Sequence, residues 1–209
     1  MVHQSNGMNN QKITVLLGFD GSGRSSVIER LGREGYTVST WKYLKDIPEL
    51  AFMRESSSTP GRFREELPPL SRAIYMISAL FAEYDYIIKP ALDKNKLVIV
   101  DSYYLRPVAK EIVKGKCSRE VLNLALLLPP PSGVIVFNIP PEEAFKRKTQ
   151  ISLNEVLLTK TLPDYCIFQQ EVLKTAIEMV DASIVHYIDA SQSPEYTYRQ
   201  ITDYLERFK

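Results

Sequence analysis

Only two cysteines occur in 209 residues, Cys117 and Cys166, and they lie far apart. Their scarcity excludes a disulfide framework and a zinc-type ligand spacing, leaves each as a small apolar residue, and points to a reduced, cytoplasmic setting. Charge of one sign is not in excess either. The formal net charge is +1, too little for a general pull toward a nucleic acid polymer or an anionic membrane. Any anion binding must therefore be local. No apolar run reaches membrane-spanning length, and the polar stretch 1–11 has no apolar signal region and reads as a frayed leader. Internal repeats and low-complexity tracts are missing too. What remains is 44% hydrophobic and 24% charged residues, enough to bury a full core, and the length suits one α/β domain over 12–209.

One stretch organises the rest. The β-branched apolar run Ile13-Thr14-Val15-Leu16-Leu17 enters Gly18-Phe19-Asp20-Gly21-Ser22-Gly23-Arg24-Ser25-Ser26, and a helix-compatible segment follows. Gly18, Gly23, Arg24 and Ser25 fill the spacing G-x-x-x-x-G-[K]-[ST] of a phosphate-binding loop. Small residues let successive backbone N–H groups curl around an anion, and the positive end of the helix adds to the attraction. Ser25 is placed to offer its hydroxyl to Mg²⁺, a cation that prefers oxygen. Arg24 stands where the motif has lysine, so a planar fork replaces a compact ammonium. The alternative is a glycine-rich turn without a ligand, and the flanking strand and helix weigh against it.

Along the chain, a helix over 25–31 is closed by Gly32 and Gly35, and β-branched and aromatic residues predict a strand over 36–41. The segment 42–70 is poorly periodic, with turn chemistry at 56–61 and charged residues that read equally well as a solvated face. Ala73, Ile74, Ile77, Phe81, Tyr84 and Ile88 recur at helical steps and predict a long helix over 71–93, with a kink or early stop at Pro90. The strand 96–100 ends in Asp101. A carboxylate at the tip of a buried parallel strand points into the crevice where α/β sheets bind ligands, so Asp101 reads as a direct or water-mediated Mg²⁺ ligand, with a helix N-cap as the other reading. Helices over 105–114 and 118–128, a strand over 134–139, and a helix opening at Pro140-Pro141-Glu142-Glu143 come next. An irregular stretch of about 149–162 has the length of a lid. A helix over 164–181, a strand over 184–188 and a helix over 194–208 complete the chain. Alternating helices and continuous apolar strands predict a parallel sheet covered on both faces.

Four segments, taken in order, resemble the thymidylate kinase family of P-loop nucleoside monophosphate kinases across roughly 12–208. The loop from Gly18 to Ser26 is similar to Gly-Leu-Asp-Gly-Ala-Gly-Lys-Thr-Thr. Arg54-Glu55 with Ser58-Thr59-Pro60 resembles Arg-Glu-Pro-Gly-Gly-Thr-Pro. Ile88-Lys89-Pro90-Ala91-Leu92 through Val98-Ile99-Val100-Asp101 resembles Ile-Arg-Pro-Ala-Leu and a strand ending in Asp-Arg-Tyr. Val136-Phe137-Asn138-Ile139-Pro140-Pro141-Glu142-Glu143-Ala144-Phe145-Lys146-Arg147 is close to Tyr-Leu-Asp-Val-Pro-Pro-Glu-Glu-Ala-Leu-Lys-Arg. The resemblance implies a P-loop NTPase-type core of five parallel strands, Mg-ATP as donor, and γ-phosphoryl transfer to an acceptor in a facing cleft. It implies that Gly18, Gly21, Ser22, Gly23, Arg24, Ser25 and Ser26 hold the ATP phosphates and that Ser25 and Asp101 hold Mg²⁺. Glu55 and Asp101 would organise metal and water, and Asp20 and Arg54 would face the acceptor. Arg147 and the turn 189–192, with Ser191, would lie near the adenine. A homodimer through the long helices is also implied.

The departures fall on the acceptor side. Asp101-Ser102-Tyr103 lacks the arginine of Asp-Arg-Tyr, Ala79 and Leu80 stand where the family has Asp-Arg, and the lid stretch carries only Lys160. Arg106, one turn past Ser102, and Arg72 are the candidates to replace the lost cations, and Tyr103, with Tyr75, Tyr84, Tyr86 and Tyr104, is a candidate lining residue. The expectation is therefore an ATP-dependent phosphotransferase acting on a small-molecule acceptor other than dTMP: a nucleotide, a nucleoside or a metabolite alcohol. Two alternatives stand beside it: a degenerate nucleotide-binding protein acting through a partner, and a dTMP kinase with relocated contacts.

Overall fold

The computed structural model of the protein describes residues 12–50 and 67–208. Arg54 and Glu55, assigned from sequence to the acceptor and metal sides, lie outside the described residues, as does the segment 1–11. Five strands are formed: β1 (Ile13–Leu17), β2 (Thr37–Ser39), β3 (Val98–Asp101), β4 (Gly133–Asn138) and β5 (Val185–Asp189). They make one parallel sheet in the order β2-β3-β1-β4-β5. The α-helices are α1 (Arg24–Arg33), α2 (Pro69–Glu83), α3 (Lys89–Leu92), α4 (Leu105–Lys114), α5 (Arg119–Leu122), α6 (Pro141–Lys146), α7 (Leu162–Ile177) and α8 (Pro194–Leu205).

Successive side chains of a strand point to opposite faces, so an apolar run builds two cores at once. Ile13, Val15 and Leu17 join Val98, Val100 and Val134 in a layer closed by α2, α4 and α7. Leu16, Ile99, Ile135 and Phe137 face the other way, against α1 and α8. With both faces covered, the strands need no polar alternation. From β1 the chain moves to one side of the sheet, and from β3 it crosses over β1 to β4 on the other. The switch point thus lies beside the C-terminal ends of β1 and β3, where Leu16 pairs with Asp101.

Pro90 does not stop the long helix. It lies in α3, and the turn before it, Tyr84–Ile88, widens into a π-helix that joins α2 to α3. The wider turn accommodates the missing N–H and the ring that would press on the carbonyl four residues back. Several boundaries move; the helix expected to run to Asp181 ends at Ile177. Trp41, read as the end of a strand, opens the 3₁₀ turn Trp41–Asp46 after β2. The helix expected to run to Leu128 is α-helical only in α5 and continues as the 3₁₀ turn Asn123–Leu127. Leu128 precedes Pro129, which disfavours helical backbone there. Among the described residues no helix is long and apolar enough to cross a membrane.

Candidate active site

The loop 18–23 leaves β1 at the switch point and delivers the chain to α1. Gly21 and Gly23 have φ of +95° and +96°, a conformation that favours glycine. A Cβ on Gly21 would lie 2.3 Å from the carbonyl oxygen of Ala144 in α6, so the loop is seated against that helix. No side chain caps the N-terminus of α1. The hydroxyl of Ser22 is buried without a hydrogen-bond partner among the described residues. Uncapped helix N–H groups and an orphaned hydroxyl in a glycine cradle fit a phosphate group.

Arg24 is buried and reaches across to β3. Its Nη1 donates to Asp101 Oδ1 at 2.7 Å and to the Ser102 hydroxyl, and Nη2 lies 3.9 Å from Asp20 Oδ1. Its Nε has no partner among the described residues. The backbone that presents these groups is unusual: Ser102 and Tyr103 have φ of +67° and +47°. Consecutive left-handed residues that are not glycine cost about 1–2 kcal/mol each and concentrate at functional sites. Here the turn lays the Ser102 hydroxyl on Asp101 Oδ1 at 3.1 Å and brings Tyr103 into the cleft beyond.

Asp20 is the centre of a second network. Arg106 grips it with both terminal nitrogens, at 3.0 and 2.8 Å, and Lys110 Nζ lies at 3.1 Å. Gln169 of α7 accepts from the Asp20 backbone N–H at 3.0 Å and from Arg106 at 2.6 Å, and the Tyr165 hydroxyl donates to the Asp20 carbonyl. Burial pushes the Asp20 carboxyl up, but Arg106, Lys110 and Arg24 outweigh it and hold the group well below the usual carboxylate range. Asp20 is therefore an anion across the ordinary pH range.

Two clefts meet at this loop. One, of about 740 Å³, runs over Gly21, Ser22, Gly23 and Ser26 to Arg147, Ala190 and Gln192. The other, of about 400 Å³, lies between α2, α4 and the turn after β3, with Asp101, Tyr103, Arg106 and Lys110 on its walls. Asp20, Arg24 and Ser25 belong to both. The stretch 149–162 closes one side of the smaller cleft. Its 3₁₀ turn Leu153–Glu155 is tied down by Lys148 Nζ on Glu155 Oε1 at 3.1 Å and by Gln169 Nε2 on the Glu155 carbonyl at 2.8 Å.

Two residues assigned from sequence lie elsewhere. Arg72 lines neither cleft: it makes a bidentate pair with Glu111, at 3.1 and 2.7 Å, that joins α2 to α4. Ser191 turns away from the larger cleft and donates to Asp189 Oδ1 at 2.6 Å, and Arg147 reaches the Ala190 carbonyl at 3.2 Å. Gly18 supports the loop from beneath, where a Cβ would meet the Ser22 hydroxyl at 2.8 Å. Of the other tyrosines, Tyr104 is buried in the core and Tyr86 is exposed. Sequence reading passed over three groups. Lys110 follows Arg106 by one helical turn, so the same periodicity identifies it. Gln169 carries no sequence signal. Glu83 continues the buried face of α2, and an acid at a core-facing step is the signal that was available. It is 2% exposed and accepts from the Ser39 hydroxyl at 2.7 Å. Burial pushes its carboxyl up to about 8, with Ser39 opposing and Asp101 adding to the rise. Among the described residues no three His, Cys, Asp or Glu side chains are grouped to hold a metal alone. A Mg²⁺ arriving with nucleotide phosphates needs only one or two protein oxygens, and Ser25 and Asp101 are of that kind.

No protein-family model matches the chain. It is similar to proteins described as probable thymidylate kinases from Caldivirga maquilingensis and Thermococcus gammatolerans. The first is 29% identical over 80% of this chain and 84% of the relative, the second 25% over 92% and 95%. A protein described as a thymidylate kinase from Xanthomonas euvesicatoria pv. vesicatoria is 25% identical over 88% and 78%.

Proposed function

We infer that this chain, a divergent member of the thymidylate kinase-like family, is an ATP- and Mg²⁺-dependent kinase that phosphorylates a nucleoside monophosphate, with dTMP as acceptor. The observation that carries this reading is the meeting of two clefts at one phosphate-type loop, with Asp20, Arg24 and Ser25 common to both. That is the arrangement in which a donor and an acceptor approach one transferring group from opposite sides. The loop N–H groups, the Ser25 hydroxyl and Asp101 would hold Mg-ATP, which when bound would supply the γ-phosphoryl group and a divalent charge.

Phosphoryl transfer demands alignment and charge neutralisation more than covalent chemistry from the protein. Arg24, at the junction, carries a fixed positive charge beside the transferring group. Arg106 and Lys110 offer cations to an acceptor phosphate, and Asp20 is the positioning residue that orients both. An acceptor phosphate is already largely ionised near neutral pH, so no strong base is required. The expectation of an acceptor other than dTMP rests on the arginines missing at Ser102 and Leu80. Arg106 and Lys110 supply cations from α4 instead, and the relatives, all named as thymidylate kinases, lend no support to a different acceptor. One observation favours a second reading, nucleotide binding without transfer: Arg24 is engaged by Asp101.

The test is dTDP formation from Mg-ATP and dTMP, with the ATP-induced thermal shift measured alongside. The expected result is turnover by the unmodified chain and loss of the shift in Ser25→Ala. A retained ATP shift with no transfer to dTMP or any other nucleoside monophosphate supports the second reading and overturns the first.

A further inference from the structure

Arg24 is 7% exposed, stands where the two clefts meet, and leaves much of its hydrogen-bonding capacity unspent. Nη1 donates to Asp101 Oδ1 at 2.7 Å and to the Ser102 hydroxyl, while Nη2 stands 3.9 Å from Asp20 Oδ1, too far for a hydrogen bond. Nε is fully buried and has no partner among the described residues. Buried polar atoms are almost always satisfied, so a guanidinium gripped at one end only is suited to take further acceptors. The grip itself falls on the residue that reads as a metal ligand. Ser102 accepts from Arg24 and donates to the same Asp101 oxygen at 3.1 Å, which closes a triangle around that carboxylate. Asp20, the other acid at the junction, is matched by Arg106 and Lys110. Two carboxylates therefore face three cations there, and a divalent ion arriving alone meets no net attraction. Nucleotide phosphates reverse that balance, because they bring several negative charges to the loop beside Nε and Nη2.

We propose that Arg24 gates Asp101 against metal that arrives alone: its guanidinium holds the carboxylate until phosphates at the loop draw it away, and Asp101 is then open to a divalent cation. The inference rests on the nucleotide-binding reading of the loop and adds the order in which its ligands are held. Until the exchange, Arg24 spares Asp101, whose side chain is 16% exposed, the cost of a largely buried and unpaired charge. After it, the same guanidinium meets the phosphates, where charge-assisted hydrogen bonds are strong. Ser102 belongs to the gate, since its hydroxyl fixes both members of the closed pair.

Mn²⁺ binding to the full chain without nucleotide, read from the electron paramagnetic resonance signal of the free ion, tests this without turnover. Arg24→Gln is expected to bind Mn²⁺ at least about 10-fold more tightly than the unmodified chain, because the positive charge beside the carboxylate is gone. That gain should vanish when Asp101→Asn is added to Arg24→Gln. The second arm is ATP binding in EDTA. Asp101→Asn no longer holds Arg24 by a charge, so metal-free ATP is expected to bind it at least about 3-fold more tightly than the unmodified chain. This arm decides alone if Arg24→Gln loses cooperative unfolding. The proposal is overturned if Mn²⁺ binds the unmodified chain and Arg24→Gln equally, or if the gain survives Asp101→Asn. It is also overturned if Asp101→Asn binds metal-free ATP no more tightly than the unmodified chain. An unmodified chain that binds no ATP overturns it together with the loop reading. Failure of dTDP formation with both binding patterns intact would sink the kinase reading alone and leave the gate standing.

Discussion

Replacing Glu83 by glutamine should flatten the pH dependence of stability. The buried carboxyl titrates near 8 in the folded chain, against an ordinary value of 4.5, because burial penalises its charged form and Asp101 adds repulsion, with the Ser39 hydroxyl opposing. A carboxyl whose folded pKa is raised keeps its proton in the native state after the unfolded chain has lost it. Between these two values the native state binds one proton more, so stability falls as pH rises, by about 1.4 kcal/mol per pH unit. From about pH 5.5 to about pH 7.5 this single group therefore removes roughly 2.7 kcal/mol. The full loss, reached above the folded pKa, is on the order of 4–5 kcal/mol. Glutamine has nearly the same shape, still accepts from Ser39, and does not titrate. Denaturant unfolding at the two pH values measures both proteins. The unmodified chain is expected to lose roughly 2.7 kcal/mol more than Glu83→Gln, or about 5–10 °C in Tm for a domain of this size. Other titrating groups are common to the pair and cancel in the difference. Parallel pH profiles would mean that Glu83 is already ionised in the folded protein and would refute the reasoning.

Two further outcomes follow from the geometry. Gly21→Ala places a methyl 2.3 Å from the Ala144 carbonyl at a φ of +95°, so it should destabilise the chain by about 2 kcal/mol or more and abolish the ATP-induced thermal shift; a normal shift would show that the loop is not seated against α6. Arg72→Leu should cost about 3–5 kcal/mol by leaving Glu111 buried and unpaired, whereas Arg72→Leu combined with Glu111→Leu should recover most of that stability with kcat little changed; a KM for dTMP raised in the double variant would return Arg72 to the acceptor side.

The fold was legible because its signals are local. A buried parallel strand announces itself by a continuous apolar run and its ending by Asp101, and the loop from Gly18 to Ser25 is fixed by spacing alone. All five strands and their parallel arrangement followed, with boundaries moved where Trp41 and Leu128 met turn geometry. The loop half of the candidate site was readable for the same reason. The acceptor half was legible only in part: Asp20, Tyr103 and Arg106 line the smaller cleft, but their partners were not readable. Asp20 meets Gln169 across 149 positions of sequence and Arg24 meets Asp101 across 77, and no periodicity encodes such pairs. Arg72 and Arg106 looked equivalent as cations near one motif. Helix phase and packing sent one to Glu111 between two helices and the other to Asp20 in the cleft. The sequence by itself determined which backbone cradle would form, since glycine conformation and strand patterning act over a few residues. Which charges would face that cradle, and which acid would be buried beside it, was decided only by tertiary structure, because electrostatic pairing and desolvation depend on distances that exist only once the sheet and its helices are assembled.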